Sequence, residues 1–209
     1  MSTPPTWDIL MASIPHRHDR LVPLLAELDR QIRPGMKLRI SYDNLVLPVG
    51  EKYRRLLESS AAEYVCNLED DDWIAPDYVE RITAALIRRP DYVGFPVKWT
   101  SDGRPMIPIT HSLRYSGWEN TPNELTRDIV QFNPLRRELA DLGQWAASNN
   151  PDAEWAAGVR ASGLVRNEAW IGEPMYYYQT MSTDTYMTAR QPWMGDMPPL
   201  PEYPWLISL

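Results

Sequence analysis

The chain has 209 residues, enough for one domain with an ample core, and its 44% apolar and 23% charged residues are those of a soluble globular protein. Its 21 Lys+Arg against 28 Asp+Glu give a net charge of −7, with no basic run beyond Arg54-Arg55, Arg88-Arg89 and Arg136-Arg137, which disfavours duplex binding by phosphate neutralisation. The 20 Pro argue against a helical bundle, and the lone Cys66 excludes an intramolecular disulfide or a Cys-rich zinc site.

No stretch reaches the ~18 apolar residues of a membrane span, and no basic start precedes an apolar signal segment, so the expected location is the cytoplasm. Cys66 lies in an apolar run and reads as a buried, inert thiol. The 9 Trp and 11 Tyr against 2 Phe favour rings that carry a polar handle.

A first strand is predicted over Trp7 to Ser13. A helix follows from about Asp19 to Ile32, with Leu21, Leu24, Leu25 and Leu28 on one face, stopped by Pro34-Gly35. A second strand, Lys37 to Tyr42, ends in Asp43-Asn44. A helix near Glu51 to Ser60 puts Tyr53, Leu56, Leu57 and Ser60 on one face. The third strand, Tyr64 to Leu68, runs into Glu69-Asp70-Asp71-Asp72. Pro76-Asp77 opens a helix with Val79, Ile82 and Leu86 inside, and a fourth strand covers Tyr92 to Trp99.

This alternation predicts an α/β fold with a mostly parallel sheet and helices on both faces, and ligands beyond the carboxyl ends of the strands. The second half is less regular. Asp102-Gly103 reads as a hairpin turn between Val97-Trp99 and Met106-Ile109. Ser112 to Arg127 reads as loop, Ile129 to Phe132 as strand, and Pro134 to Leu142 as a short helix. A helix from Asp152 to Ala161 and strands at Trp170-Ile171 and Tyr176 to Tyr178 complete the set. The tail after Pro192, with Pro198, Pro199, Pro201 and Pro204, cannot be regular helix or central strand.

The four acids after the third strand repel one another unless something positive binds. Hard oxygen donors suit Mg²⁺ or Mn²⁺, with phosphate oxygens completing the shell. The bland alternative is a solvated acidic turn before the helix near Pro76. An EF-hand fails in both registers: its Gly and Glu positions hold Ala75 and Arg81 counted from Asp70, and Ile74 and Glu80 counted from Glu69. No Walker A segment accompanies the acids, so a Walker B role is excluded.

Several segments together resemble the GT-A glycosyltransferases of family 2. They are Ser13-Ile14-Pro15-His16-Arg17 after the first strand, Asp43-Asn44 after the second, and Gly50-Glu51-Lys52 opening a helix. The Asp-rich turn and Trp73-Ile74 with Pro76-Asp77-Tyr78 complete the pattern. The resemblance covers about residues 6–100 and continues more weakly to about residue 183. It implies one GT-A domain over residues 1–209: a nucleotide-sugar half to about residue 100, an acceptor half over about 101–190, and a Pro-rich tail over 191–209.

In that family the acidic turn is the DXD motif. The resemblance implies Asp71 as ligand of Mn²⁺ or Mg²⁺ with Asp72 in support, Asp70 at the ribose, and Asp43 at the nucleobase with Asn44 beside it. Ser13, Ile14, Pro15, His16 and Arg17 would line the base and ribose pocket, and Lys52 would sit near the base or diphosphate. A UDP-sugar is the expected donor. A divalent cation would offset the charge that develops on the leaving diphosphate.

Inverting members deprotonate the acceptor hydroxyl with a carboxylate, usually in a Glu-Asp pair opening a helix ahead of an Arg. The similar segment here is Asn149-Asn150-Pro151-Asp152-Ala153-Glu154-Trp155, followed by Arg160. Spacing to Arg160 favours Glu154, and Asp152 is its rival. Both also read as ordinary helix-start acids. The late metal-binding His of many GT-A enzymes is missing, since His111 is the last His, and Tyr176 to Thr180 occupies that region. His111 reads either as an acceptor contact or as a structural histidine.

Trp99, Trp118, Trp145, Trp155 and Trp170 are candidates for an acceptor platform, and the Asn133-Pro134 turn with Arg136 and Arg137 for its edge. The expected acceptor is a hydroxyl of a protein, a glycan, a small metabolite or a hydroxylated DNA base, the last through a flipped-base pocket. Small soluble enzymes of this kind occur in bacteriophages. Competing readings are a nucleotidyltransferase, which calls for a Gly-rich first loop that is absent here, and a glycan-binding module with a structural cation.

Overall fold

The computed structural model describes residues 4–145, 151–181 and 192–209. The first half alternates as the periodicity predicts. Strand β1 (Trp7–Ser13) leads through a 3-10 turn (Pro15–Arg17) into α1 (His18–Gln31), then β2 (Met36–Tyr42), α2 (Val49–Ser59), β3 (Tyr64–Asn67), the two-residue β4 (Trp73–Ile74), α3 (Tyr78–Leu86) and β5 (Tyr92–Ser101). The rest comprises β6 (Arg104–Pro105), β7 (Ile109–His111), β8 (Glu119–Asn120), β9 (Leu125–Arg127), β10 (Leu135–Arg136), α4 (Arg137–Ala140), α5 (Pro151–Ala161), β11 (Glu168–Trp170), β12 (Tyr176–Thr180) and β13 (Leu206–Ser208).

The strands run in the order β13-β2-β1-β3-β10-β5-β7-β9-β8, with β11, β12, β4 and β6 off this path. Strands β13, β2, β1 and β3 are mutually parallel. The sheet as a whole is mixed, which corrects the expectation of a mostly parallel one. β10 inserts antiparallel between β3 and β5, and β7 is antiparallel to β5. The alternation of the first half left room for this, because β10 comes from a segment read as helix. Pro134 to Leu142 begins as strand and only then turns into α4.

Helices cover both faces, as expected. Trp7, Ile9 and Met11 of β1 point into a core with Leu21, Leu24, Leu25 and Leu28 of α1 and Val79, Ile82 and Leu86 of α3. Leu10 and Ala12 point the other way, into a core with Tyr53, Leu56 and Leu57 of α2 and Trp155 and Val159 of α5. The two-residue period of a strand makes this division. Cys66 lies in the first core beside the Tyr78 hydroxyl, and burial pushes its thiol up to about 12.

The irregular half departs further from its sequence reading. Asp102 and Gly103 do form the hairpin turn, both at positive φ, but it joins β5 to β6, and β7 resumes the pairing at Ile109. The stretch read as loop contains β8 and β9, whereas Ile129 to Phe132 is not a strand.

The Pro-rich tail lies along the domain as a strap. Its last residues form the edge strand β13 on β2, compatible with Pro at neighbouring positions. Trp205 is buried against the first core, and its Nε1–H donates to Asp29 at 2.7 Å. Trp205→Ala is therefore expected to destabilise the protein by about 3 kcal/mol in urea unfolding, the usual cost of truncating a buried aromatic. A midpoint unchanged from wild type contradicts this anchoring role.

Candidate active site

The parallel strands run in the order β2-β1-β3, so the connections reverse direction between β1 and β3. This reversal opens a crevice at the carboxyl ends of these strands. Buried polar contacts tie the three loops at that edge together. Ser13 Oγ donates to Asp70 Oδ2 at 2.5 Å, and Arg17 reaches Asp70 Oδ1 at 2.8 Å and Asp71 Oδ2 at 3.2 Å. Lys52, buried at the start of α2, donates to the Ser13 carbonyl at 3.1 Å and pairs with Asp43 Oδ1 at 2.8 Å.

Asp70 is completely buried. A buried carboxylate is costly unless its oxygens are satisfied, and Ser13 and Arg17 satisfy both. Burial also opposes the charge on Arg17, but Asp70 and Asp71 outweigh it and raise the guanidinium pKa.

Carboxylate oxygens of Glu69, Asp70 and Asp71 lie within 4.8 Å of one another. Burial, then the charges of Asp71 and Asp70, raise Glu69 to about 8. Arg17 offsets part of the negative charge here, and hard oxygen donors at this spacing fit a divalent cation of the Mg²⁺ or Mn²⁺ type.

Asp72, expected to support a metal, turns elsewhere. It accepts the Tyr176 hydroxyl at 2.5 Å and the Gln179 backbone N–H at 2.7 Å, both from β12. Burial and the Asp71 charge hold its pKa well above the usual carboxylate range. Glu69 occupies the place beside Asp70 and Asp71, and Tyr53 donates to it at 2.8 Å. The sequence named Glu69 only as part of an acidic run and Tyr53 only as a helix-face residue, and it set Tyr176 to Thr180 in the region of the missing late His without pairing Tyr176 or Gln179 with Asp72, because these partners are distant in the chain.

The remaining residues expected at the nucleotide gather at the same edge. Ile14 is extended and half-buried, and Pro15 is buried at the start of the 3-10 turn. His16 is exposed and meets Trp193 edge-on, with centroids 5.1 Å apart. Asp43 accepts the Val46 N–H at 3.2 Å and Lys52 through Oδ1, while its buried Oδ2 has no hydrogen-bond partner among the described residues. Asn44 is committed to the strap: its Nδ2 donates to the Trp193 carbonyl at 3.0 Å, and its Oδ1 accepts the Trp193 N–H at 2.5 Å. Leu45 beside it sits at φ +60°, a left-handed conformation that costs a non-glycine residue on the order of 1 kcal/mol.

A cavity of about 330 Å³ is lined among others by Trp99, His111, Trp118, Phe132, Asp152 and Tyr178, and by Tyr176, whose hydroxyl reaches Asp72 of the acidic turn. Asp152 thus reaches the cavity, whereas Glu154 is exposed on α5. Arg160 forms an ion pair with Asp128 that anchors this helix. Asn149 and Asn150 of the same motif lie outside the described residues.

Of the five candidate Trp, only Trp99 and Trp118 line the cavity. Trp145 and Trp155 stack in series on Tyr53, and Trp170 carries Arg114 over its ring. Arg136 pairs with Asp91, and Arg137 is paired with Asp141. A larger, open cavity of about 820 Å³ lies between Tyr42 and the strap, and none of Glu69 to Asp72 lines it.

His111 is a buried neutral ring. Asn133 Nδ2 donates to the Val93 carbonyl at 2.8 Å, so its Oδ1 faces His111 Nδ1 at 2.6 Å and the proton sits on Nδ1. Nε2 is then the acceptor. Burial lowers the pKa to about 4, with the Asn133 hydrogen bond opposing the shift.

No protein-family model and no curated protein sequence matches this chain. Its fold is shared with solved structures of TarS from S. aureus. TarS 1-349 in complex with UDP-GlcNAc aligns over 87% of this chain with a TM-score of 0.61 at 14% identity. The complex with UDP aligns over 84% with a TM-score of 0.58 at 16% identity. A longer TarS structure aligns over 88% with a TM-score of 0.55 at 15% identity. The chain spans 61%, 60% and 38% of these three chains, respectively. At such identity the match defines the fold: a GT-A-like α/β architecture with a mixed sheet. Among the described residues, no helix is long and apolar enough to cross a membrane.

The fold favours neutral His111, while the unfolded ring binds a proton below about pH 6.5. Unfolding therefore takes up a proton as pH falls. Stability should drop by about 3 kcal/mol between pH 6.5 and 4 and then level off with respect to this residue. The stability difference between wild type and His111→Gln, followed by urea unfolding across this range, should show that drop. A flat difference contradicts the buried neutral ring.

Proposed function

We propose that this chain is an inverting, divalent-cation-dependent glycosyltransferase that moves a sugar from a nucleotide sugar, with a UDP-sugar as donor, to an acceptor hydroxyl. The observation that carries the reading is the convergence of Glu69, Asp70 and Asp71 at the β1–β3 reversal, in a fold shared with TarS. TarS is a family 2 glycosyltransferase, and its complexes with UDP and UDP-GlcNAc support the same ligand class for this crevice.

The buried Asp43 Oδ2, which has no donor among the described residues, supports a nucleobase subsite, because such an acceptor suits the N–H edge of a base. Ser13, Ile14, Pro15, His16 and Arg17 would border the nucleoside, with Lys52 holding Asp43 in place. Asp71 and Glu69 would hold the Mn²⁺ or Mg²⁺, while Asp70, expected at the ribose, is committed to Ser13 and Arg17 and fixes the turn that carries them. That ion would supply Lewis-acid stabilisation of the negative charge on the departing diphosphate.

The transfer is a single displacement. The acceptor oxygen attacks the anomeric carbon from the face opposite the diphosphate, and the carbon–oxygen bond to the diphosphate breaks, its electron pair leaving with that oxygen. Asp152 takes the proton of the attacking hydroxyl. Its place in the cavity beside Tyr178 supports it over Glu154 as the base. Trp99 and Trp118 offer ring faces to the sugar or acceptor. The indole N–H of Trp99 is committed to Thr180 Oγ1 and that of Trp118 to the Ile129 carbonyl.

With a UDP-sugar and Mn²⁺, Asp71→Asn should lower UDP release at least about 100-fold and remove the Mn²⁺ dependence. Asp152→Asn should lower kcat by about 10²- to 10⁴-fold at unchanged affinity for UDP, and Glu154→Gln should stay near wild type. A fully active Asp71→Asn rejects the metal assignment. A loss confined to Glu154→Gln exchanges the roles of the two acids.

A further inference from the structure

We propose that the C-terminal strap forms a wall of the nucleotide subsite and that Trp193 stacks on the nucleobase. The inference rests on the donor reading above and adds a recognition element from the far end of the chain.

Asn44 and Trp193 are 149 residues apart, yet the Asn44 side-chain amide pairs with both polar groups of the Trp193 backbone. This pairing fixes the strap against the loop after β2. Asp43, the residue before Asn44, carries the buried oxygen that lacks a donor among the described residues. From the loop after β1, His16 packs edge-on against the indole at an interplanar angle of 77°. Trp193 therefore stands against both loops that border the crevice on the nucleoside side.

The indole is also oriented. Its Nε1–H donates to the Asp196 carbonyl at 3.1 Å, which occupies its one polar group and limits ring rotation. What remains to meet a ligand is the ring face, and Trp193 is only half-buried. A planar base needs a surface to stack on and an in-plane partner for its N–H. Trp193 supplies the first and Asp43 Oδ2 the second.

Asn44 holds the strap at Trp193. Its other end is held by the pairing of β13 with β2 and by buried Trp205 on Asp29. Displacing Trp193 from the crevice would break the Asn44 pair while that far end stayed anchored.

The test is calorimetry with Mn²⁺ on wild type, Trp193→Ala, Trp193→Phe and Asn44→Ala, after thermal unfolding has verified that each is folded. The probes are UDP, GDP, CDP, ADP and inorganic pyrophosphate. Trp193→Ala should weaken the best-bound nucleoside diphosphate about tenfold, in line with the stacking contribution of one base, and leave pyrophosphate unchanged. Trp193→Phe should retain most of the affinity, and Asn44→Ala should lose about as much as Trp193→Ala by releasing the ring. Unchanged or tighter nucleotide binding by Trp193→Ala overturns the stacking role while the donor reading stands. Wild-type protein that binds no nucleoside diphosphate overturns both.

Discussion

The arrangement depends on satisfying one buried carboxylate. Asp70 has no access to water, and its two oxygens take the Ser13 hydroxyl and the Arg17 guanidinium from the loop after the neighbouring strand. An unsatisfied carboxylate in that position would cost several kcal/mol, so the loops after β1 and β3 have little freedom to separate. Lys52 extends the constraint to the loop after β2 through the Ser13 carbonyl and Asp43. The crevice is thus built into the folded chain. Glu69 and Asp71 are held close to Asp70 against their mutual repulsion, an arrangement that a bound cation would relieve.

The two halves of the chain are joined at the same place. Asp72 faces away from the other acids because β12 offers it a hydroxyl and a backbone N–H. β12 pairs with β4, which follows the acidic turn, and with the second half of β5. It also carries Tyr178, which lines the aromatic cavity with Asp152. One strand therefore links the cluster read as donor site to the cavity read as acceptor side. The stack of Tyr53, Trp145 and Trp155 secures α5 from below, and Tyr53 donates its hydroxyl to Glu69.

The strap makes a similar connection at the opposite edge. It adds β13 to the sheet, buries Trp205 and delivers Trp193 to the loops after β1 and β2. Its prolines suit this role, since a chain with fixed φ and few amide donors runs well along an edge but not through a sheet interior. The Pro and Trp excess of the later chain therefore has several uses, among them wall, core and strap. Only Trp99 and Trp118 occupy the platform position that composition suggested for five.

The amino-acid sequence by itself determined the local order of the first half, from β1 to α3 apart from the two-residue β4, with the two-faced core and an acidic turn at a strand end. These follow from periods of two and 3.6 residues and from stop signals close by in the chain. Only the tertiary structure decided what depends on distant partners. It inserted β10 between β3 and β5, making the sheet mixed, because a two-residue strand carries too little pattern to be seen. It turned Asp72 toward β12 and left Glu69 with Asp70 and Asp71, since a run of four acids is locally symmetric. It brought Asp152 rather than Glu154 to the cavity and paired Asn44 with Trp193, because a side chain's direction is set by what packs around it.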